Sequence, residues 1–162
     1  MKISEHVSYT EITKSNTATK KGIANDPNPD QLANIQKLCE EVFEPLRVWV
    51  GGAIQINSCF RSEDLNKAIG GALSSQHLAN NGAALDIDDN YFKRGITEKN
   101  NADMFYFIKN NLDFDQLIWE FTDPDNEDAP AWVHVSYCEG ENRKEVLRAI
   151  RVNGRTSYVK FE

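Results

Sequence analysis

Positive charge, histidine, cysteine and long apolar runs are all scarce in this chain, and each shortage removes a class of function. Eighteen Lys and Arg face 25 Asp and Glu, which leaves a formal net charge of −7 and a pI near 5.0. A field of that sign repels nucleic acid and anionic lipid, so neither is an expected partner. The three cysteines, Cys39, Cys59 and Cys138, are odd in number, widely spaced and free of any Cys-x-x-Cys pair. That pattern argues for reduced, buried thiols and against a redox or zinc-thiolate site. No apolar run is long enough to span a bilayer, and the opening Met1-Lys2-Ile3-Ser4-Glu5-His6 does not resemble a signal peptide. The expectation is a protein made in a cytoplasm with no export address of its own.

What is present reads as an ordinary globular protein, 40% hydrophobic and 27% charged. At 162 residues folding buries roughly 70% of the unfolded surface, so neither metal nor disulfide is needed merely to fold. The expectation is one domain over 1–162, with 1–27 as an irregular polar arm packed on it. Asn28 and Pro29 then supply a cap and a first helical position. Leu32, Ile35, Leu38, Cys39, Val42, Phe43 and Leu46 follow at helical spacing, predicting a main helix over about 29–48 that stops at Gly51-Gly52. Residues 53–57 alternate as a strand. Ser62 caps a short helix to about Ala68, ended by Gly70-Gly71.

Residues 83–88 read as a strand, and Thr97 as the cap of a helix carrying Met104, Phe107, Ile108 and Leu112. Residues 114–121 and 132–137 alternate as strands that can pair across the acidic loop from Asp123 to Pro130. Two short strands, 146–152 and 158–161, flank Asn153-Gly154. Helices interleaved with antiparallel strands give an α+β class, a small antiparallel sheet flanked by helices.

Of three histidines, His77 and His134 lie beside apolar strands in segments that also supply acids. Catalytic zinc takes imidazole nitrogen and carboxylate oxygen from three protein groups and leaves a fourth position open. His77, Asp86 and His134 meet that requirement, with Asp88 as the alternative carboxylate on the same strand face. A strand-borne histidine is also commonly a hydrogen-bonded structural residue, so spacing alone leaves both readings open. His6 has no partner motif, and Cys59 reads as a buried small residue.

The segments Ser75-Gln76-His77, Gly82-Ala83-Ala84-Leu85-Asp86 and Trp132-Val133-His134 resemble the zinc D-alanyl-D-alanine carboxypeptidase family. Its pattern is Ser-x-His-x-x-Gly-x-Ala-x-Asp followed far downstream by Trp-x-His. Phe60-Arg61-Ser62, Leu65-Asn66, Gly70-Gly71 and Glu44-Pro45-Leu46-Arg47 extend the resemblance, which covers about residues 5–137 and is particularly like the branch found in phage lysins. It implies a hedgehog- and lysostaphin-related fold and a zinc ion held by His77, Asp86 and His134. It also implies Arg61 as a holder of substrate carboxylate or oxyanion, where the bare residue would read as a surface salt bridge. Ser75 would orient His77 or touch substrate, a loop-capping serine being the plainer alternative.

Two departures carry consequences. His77 and Asp86 are nine positions apart where the pattern has seven, so Asn80-Asn81 reads as an insertion expected to bulge outward. Many members carry a glutamate three residues before the last histidine, where this chain has Ala131. Glu120, ending the neighbouring strand, becomes the expected base, with Glu127 and Asp128 of the acidic loop as runners-up. Trp119, Trp132 and Tyr137 flank the site, as cleft lining or as core.

The implied function is zinc-dependent hydrolysis of a peptidoglycan stem or cross-bridge peptide. The fitting setting is a monomeric phage or prophage lysin, acting on the wall after release or carried on a virion. The alternatives are a zinc-stabilised binding domain without catalysis and a cytoplasmic D-Ala-D-Ala dipeptidase.

Overall fold

The computed structural model describes all 162 residues. Strands β1 (Gln55–Ser58), β2 (Ala83–Asp88), β3 (Gln116–Glu120), β4 (Trp132–Tyr137), β5 (Glu145–Val152) and β6 (Arg155–Lys160) form one sheet in the order β1-β2-β4-β3-β5-β6. The α+β class holds, but the sheet is not wholly antiparallel, because β5 pairs with β3 in parallel. The cause is a crossing that no periodicity reveals. After β4 the chain returns past the start of β3, where Arg143 grips buried Asp115 through Nε at 2.9 Å and Nη2 at 2.9 Å. The backbone N–H groups of Lys144 and Glu145 then bond to the carbonyls of Phe114 and Asp115. β5 therefore starts in register with β3, and β6 folds back on it through Asn153-Gly154, both at positive φ.

The main helix is α3 (Pro29–Leu38) continued by a π-helical turn at Cys39–Phe43 into α4 (Glu44–Val50). Asn28 and Gln31 form its capping box. The π turn, in which Glu44 N–H reaches back to Cys39 O, accommodates Pro45, which has no N–H to give to the helix ladder. Gly51 ends α4 in the left-handed conformation.

The segment 1–27 is more ordered than its polarity predicts. It carries α1 (Tyr9–Thr13) and α2 (Asn16–Lys21), capped by Ser8 and Ser15, and it buries Ile3, Val7 and Ile12 in the main core. Beyond β1 come α5 (Glu63–Ala68), capped by Ser62 as expected, then α6 (Asn90–Lys93) and α7 (Asn101–Asn111). The cap of α7 is Asn100 and not Thr97. Asn100 and Asp103 bond each other's backbone N–H at 2.9 and 3.0 Å, a reciprocal pair that a lone threonine cannot offer.

Successive strand residues face opposite sides of a sheet. Leu85, Ile87, Leu117, Trp119, Val133 and Val135 join the core, on the side where α3 and α7 lie against β2, β3 and β4. Asp86, Ile118, Glu120 and His134 alternate with them and face the other way. Gly82, just ahead of β2, has φ +71 and lies so close to β4 that a Cβ there would stand 2.3 Å from the Tyr137 carbonyl oxygen. Gly82→Ala is expected to lose at least about 2 kcal/mol of unfolding free energy, read by urea denaturation. An unchanged midpoint would show that β2 can start elsewhere.

Candidate metal centre

Three separate elements bring His77, Asp86 and His134 together. Asp86 and His134 are direct cross-strand partners on β2 and β4, and His134 Nδ1 lies 3.0 Å from Asp86 Oδ1. His77 sits on a short 3-10 turn, Gln76–Leu78, with Nε2 3.3 Å from Asp86 Oδ2. One donor atom from each residue falls within 4.8 Å of the others.

The turn is tied to the chain after β1. Arg61 N–H donates to His77 O at 2.8 Å, and His77 Nδ1 lies 2.6 Å from Cys59 O. Asn80-Asn81 does not part the residues on either side of it. Ala79 reverses the chain at φ 57, and Gln31 and Asn34 of α3 hold Leu78 O, Ala79 O and Asn80 Oδ1.

The donor set fits a divalent cation. A carbonyl oxygen only accepts, so Nδ1 of His77 carries a hydrogen and a neutral ring turns the Nε2 lone pair at Asp86. Two lone pairs 3.3 Å apart need a shared proton or cation between them. Tetrahedral zinc with ligands at about 2.1 Å spaces them by about 3.4 Å, close to the two separations here. Burial pushes the Asp86 carboxyl up, but the His77 and His134 imidazoles outweigh it and hold Asp86 well below the usual carboxylate range. It is an anion poised between two nitrogens.

Glu120 opens onto the same face from β3, one strand beyond His134. Burial pushes its carboxyl up to about 7, His134 opposing and Asp86 adding to the rise. A carboxyl with that value exchanges protons near neutrality. Ala131 N–H bonds to Glu120 O at 2.9 Å, a backbone bond that fixes the end of the strand carrying the carboxyl. Glu127 and Asp128 are exposed on the loop and do not line the cleft.

Arg61 is half-buried, its guanidinium steered by Asn66 Oδ1 at 3.3 Å. Burial lowers its pKa, while Asp86 and Tyr158 oppose the fall. Gly71 is required beside it, since a Cβ there would meet Asn66 Oδ1 at 2.0 Å and Arg61 Nη1 at 3.1 Å. Ser75 caps the 3-10 turn, accepting from His77 N–H at 3.3 Å, and also lines the cleft.

His77, Asp86, His134, Glu120, Arg61 and Ser75 line a single open cleft of about 920 Å³. Of the flanking aromatics, Trp132 lines it, whereas Trp119 and Tyr137 belong to the core. His6 lies apart, 2.7 Å from Glu44.

Sequence reasoning missed two groups. Buried Asn25 donates to Thr13 O and Phe60 O and accepts from Ser62 N–H at 2.7 Å, so the N-terminal arm holds the Arg61 segment. Arg151, Thr156 and Tyr158, on the β5–β6 hairpin, form one wall of the cleft. Strand alternation could have grouped these three, but not placed them beside Glu120.

Two imidazoles and a carboxylate gathered over one sheet face, next to a buried carboxyl raised toward neutrality, are the kind of donor and base set that a metallohydrolase uses. Residues 5–118 match the family model described as peptidase M15, more than half of the chain, and the chain belongs to that family. Its members are metallopeptidases, in general zinc-dependent. The match takes in Arg61, Ser75, His77 and Asp86 and stops short of Glu120, His134 and the hairpin. No curated protein sequence matches the chain.

In the metal-free protein the Glu120 carboxyl, at about 7 against an ordinary 4.5, holds its proton more tightly folded than unfolded. Its contribution to stability is therefore full below about pH 4.5 and is lost as pH rises through about 7. Glu120→Gln keeps the shape without the charge. Relative to the parent, the variant should gain stability between about pH 4.5 and about pH 8, as read by denaturant titration of both metal-free proteins. Parallel pH profiles would show that burial does not govern this carboxyl.

Proposed function

We propose that this protein is a zinc-dependent peptidoglycan peptidase that hydrolyses a peptide bond of the stem or cross-bridge peptide, acting as a monomeric phage or prophage lysin. The observation that carries the hydrolytic reading is Glu120, a buried carboxyl opening into the same cleft as His77, Asp86 and His134. The wall-peptide reading is supported by the resemblance of the Phe60-Arg61-Ser62 and Ser75-Gln76-His77 segments to the lysin branch. A cleft of about 920 Å³, near the upper end for ligand pockets, suits an extended peptide better than a free dipeptide. With a net charge of −7, recognition of an anionic wall rests on cleft contacts and not on long-range attraction.

His77, Asp86 and His134 would hold the ion, whose Lewis acidity polarises a peptide carbonyl and makes water easier to deprotonate. Cys59 O fixes the tautomer of His77, so that Nε2 and not Nδ1 is presented. Glu120, close to neutral pKa, takes a proton from the water as it attacks and delivers it to the amine as the C–N bond breaks. Arg61 offers fixed N–H donors to the oxygen on which negative charge develops. Proton and leaving group balance without a covalent intermediate.

Glu120→Gln should lower kcat by about 10²- to 10⁴-fold while bound zinc is retained. Asp86→Ala and His77→Ala should lose the metal itself. Metal analysis, combined with release of new amines from purified walls and mass spectrometry of the fragments, reads both. Should the zinc-loaded parent release no amines from any wall type, the peptidoglycan assignment fails. Faster turnover of free D-Ala-D-Ala than of intact sacculi would move the activity to a dipeptidase.

A further inference from the structure

The β5–β6 hairpin lies outside the matched residues, yet it supplies Leu147, Arg151, Thr156 and Tyr158 to the cleft. Its register says how. Glu120 pairs with Ala149 across the parallel ladder, and Ala149 pairs with Tyr158 across the antiparallel one. These three residues therefore form one row on one face. Arg151 and Thr156 are direct partners in the next cleft-facing row.

Ala149, a fully buried methyl, stands between Glu120 and Tyr158 in this row. Two inter-strand steps of about 4.8 Å put those two backbones roughly 10 Å apart. The opposite parity is occupied differently, Arg148 lying over the Trp119 and Phe161 rings at 4.8 and 4.9 Å.

The donors on the cleft side are free. Arg143, at the other end of the cleft, is bound to Asp115 and Glu145, but Arg151 has no carboxylate partner. Its guanidinium rests on the Phe121 ring, 4.9 Å from the centroid. Phe121, directly after Glu120, holds φ 58, a conformation costly for a bulky residue. Its N–H bonds to Ala149 O, and its ring packs on Trp132 at 5.5 Å. The Thr156 and Tyr158 hydroxyls make no hydrogen bond within the protein. Burial and the nearby Glu120 and Asp86 keep the Tyr158 phenol protonated, with Arg61 opposing. A guanidinium and two hydroxyls with no acceptor of their own suit an acceptor-rich anion of small size.

We infer that Arg151, Thr156 and Tyr158, on the hairpin wall beside Glu120, form a subsite that binds a carboxylate of the substrate peptide. The inference rests on the peptidase reading of the same cleft. The carboxylate can come from a peptide C-terminus or from an acidic residue within the peptide, and the two chemistries are the same at the guanidinium.

The test uses the full-length, zinc-loaded protein carrying Glu120→Gln, titrated calorimetrically with a synthetic stem peptide that contains D-glutamate and ends in D-alanine. Two further peptides have either the glutamate carboxylate or the terminal carboxylate converted to the amide. One amide is expected to bind about 10- to 100-fold more weakly than the acid, and which one identifies the source. Adding Arg151→Gln, an exposed change whose folding is checked by circular dichroism, should remove that preference and leave the weaker amide unaffected. Tyr158→Phe and Thr156→Val should each reduce it in part.

Equal binding of acid and both amides, loss of binding to all three peptides on Arg151→Gln, or no binding at all overturns the subsite. Wall cleavage by the parent separates the two readings. Cleavage without acid preference leaves the peptidase standing and removes the subsite. Acid-selective, Arg151-dependent binding without cleavage does the reverse.

Discussion

The period-two alternation of β2, β3 and β4 is the constraint on which the rest depends. A one-residue slip of β4 against β2 would send His134 into the layer that holds Val133 and Val135, and would turn a valine toward Asp86. The core prevents it. Val133 and Val135, both fully buried in the core, would have to leave it, at about 1.5–3 kcal/mol apiece. The geometry of the polar face is thus set by the hydrophobic free energy of the other face. His134 and Asp86 need no local stabilisation of their own to stay opposed, which is why two groups with strong electrostatic demands can be held 3.0 Å apart.

His77 and Arg61 lie off the sheet and depend on a different device, a set of backbone bonds to side chains and carbonyls that are themselves buried. Cys59 O, Asn25 and Asn66 between them fix the His77 ring, the Phe60-Arg61-Ser62 backbone and the Arg61 guanidinium. Buried amides and carbonyls are costly to leave unpaired, so each of these bonds is enforced by the penalty for breaking it. The N-terminal arm is part of this network through Ile12 O, which accepts from Phe60 N–H. A segment that reads as a polar appendage is, in physical terms, a support of the site.

The sequence shows features that act over short range and hides those that depend on distant pairing. The helix over Pro29–Leu38, the Ser62 cap and the strands of His134 and Asp86 follow from caps and periodicity within a few residues. Asn100 in place of Thr97 turns on a local competition, a reciprocal cap against a single one, and the π turn that carries the expected helix through Pro45 has no signature in the apolar spacing. Of the site, the histidines and Asp86 could be named from a motif and Glu120 from the pairing expected across one hairpin. Arg151 and Tyr158 could not. Their approach to Glu120 depends on the parallel β3–β5 pairing, which hangs on Arg143 reaching Asp115 across 28 positions.

That same dependence explains how the chain divides its labour. The stretch that matches the peptidase M15 model carries Arg61, His77 and Asp86, an electrophilic helper and two of three candidate ligands. β4 inserts between β2 and β3 in the sheet although it follows both in the chain. The third imidazole therefore sits between two strands that both precede it in the chain. The hairpin that follows shares an anchor with β4, since Asp115, whose N–H bonds to Ser136 O at 2.8 Å, also holds Arg143 just ahead of β5. The His134 strand and the donor wall of the cleft thus meet at Asp115. The three candidate ligands need only β2, β4 and the 76–78 turn, whereas the donor wall also needs β5 on β3, so the wall can be lost without the ligands.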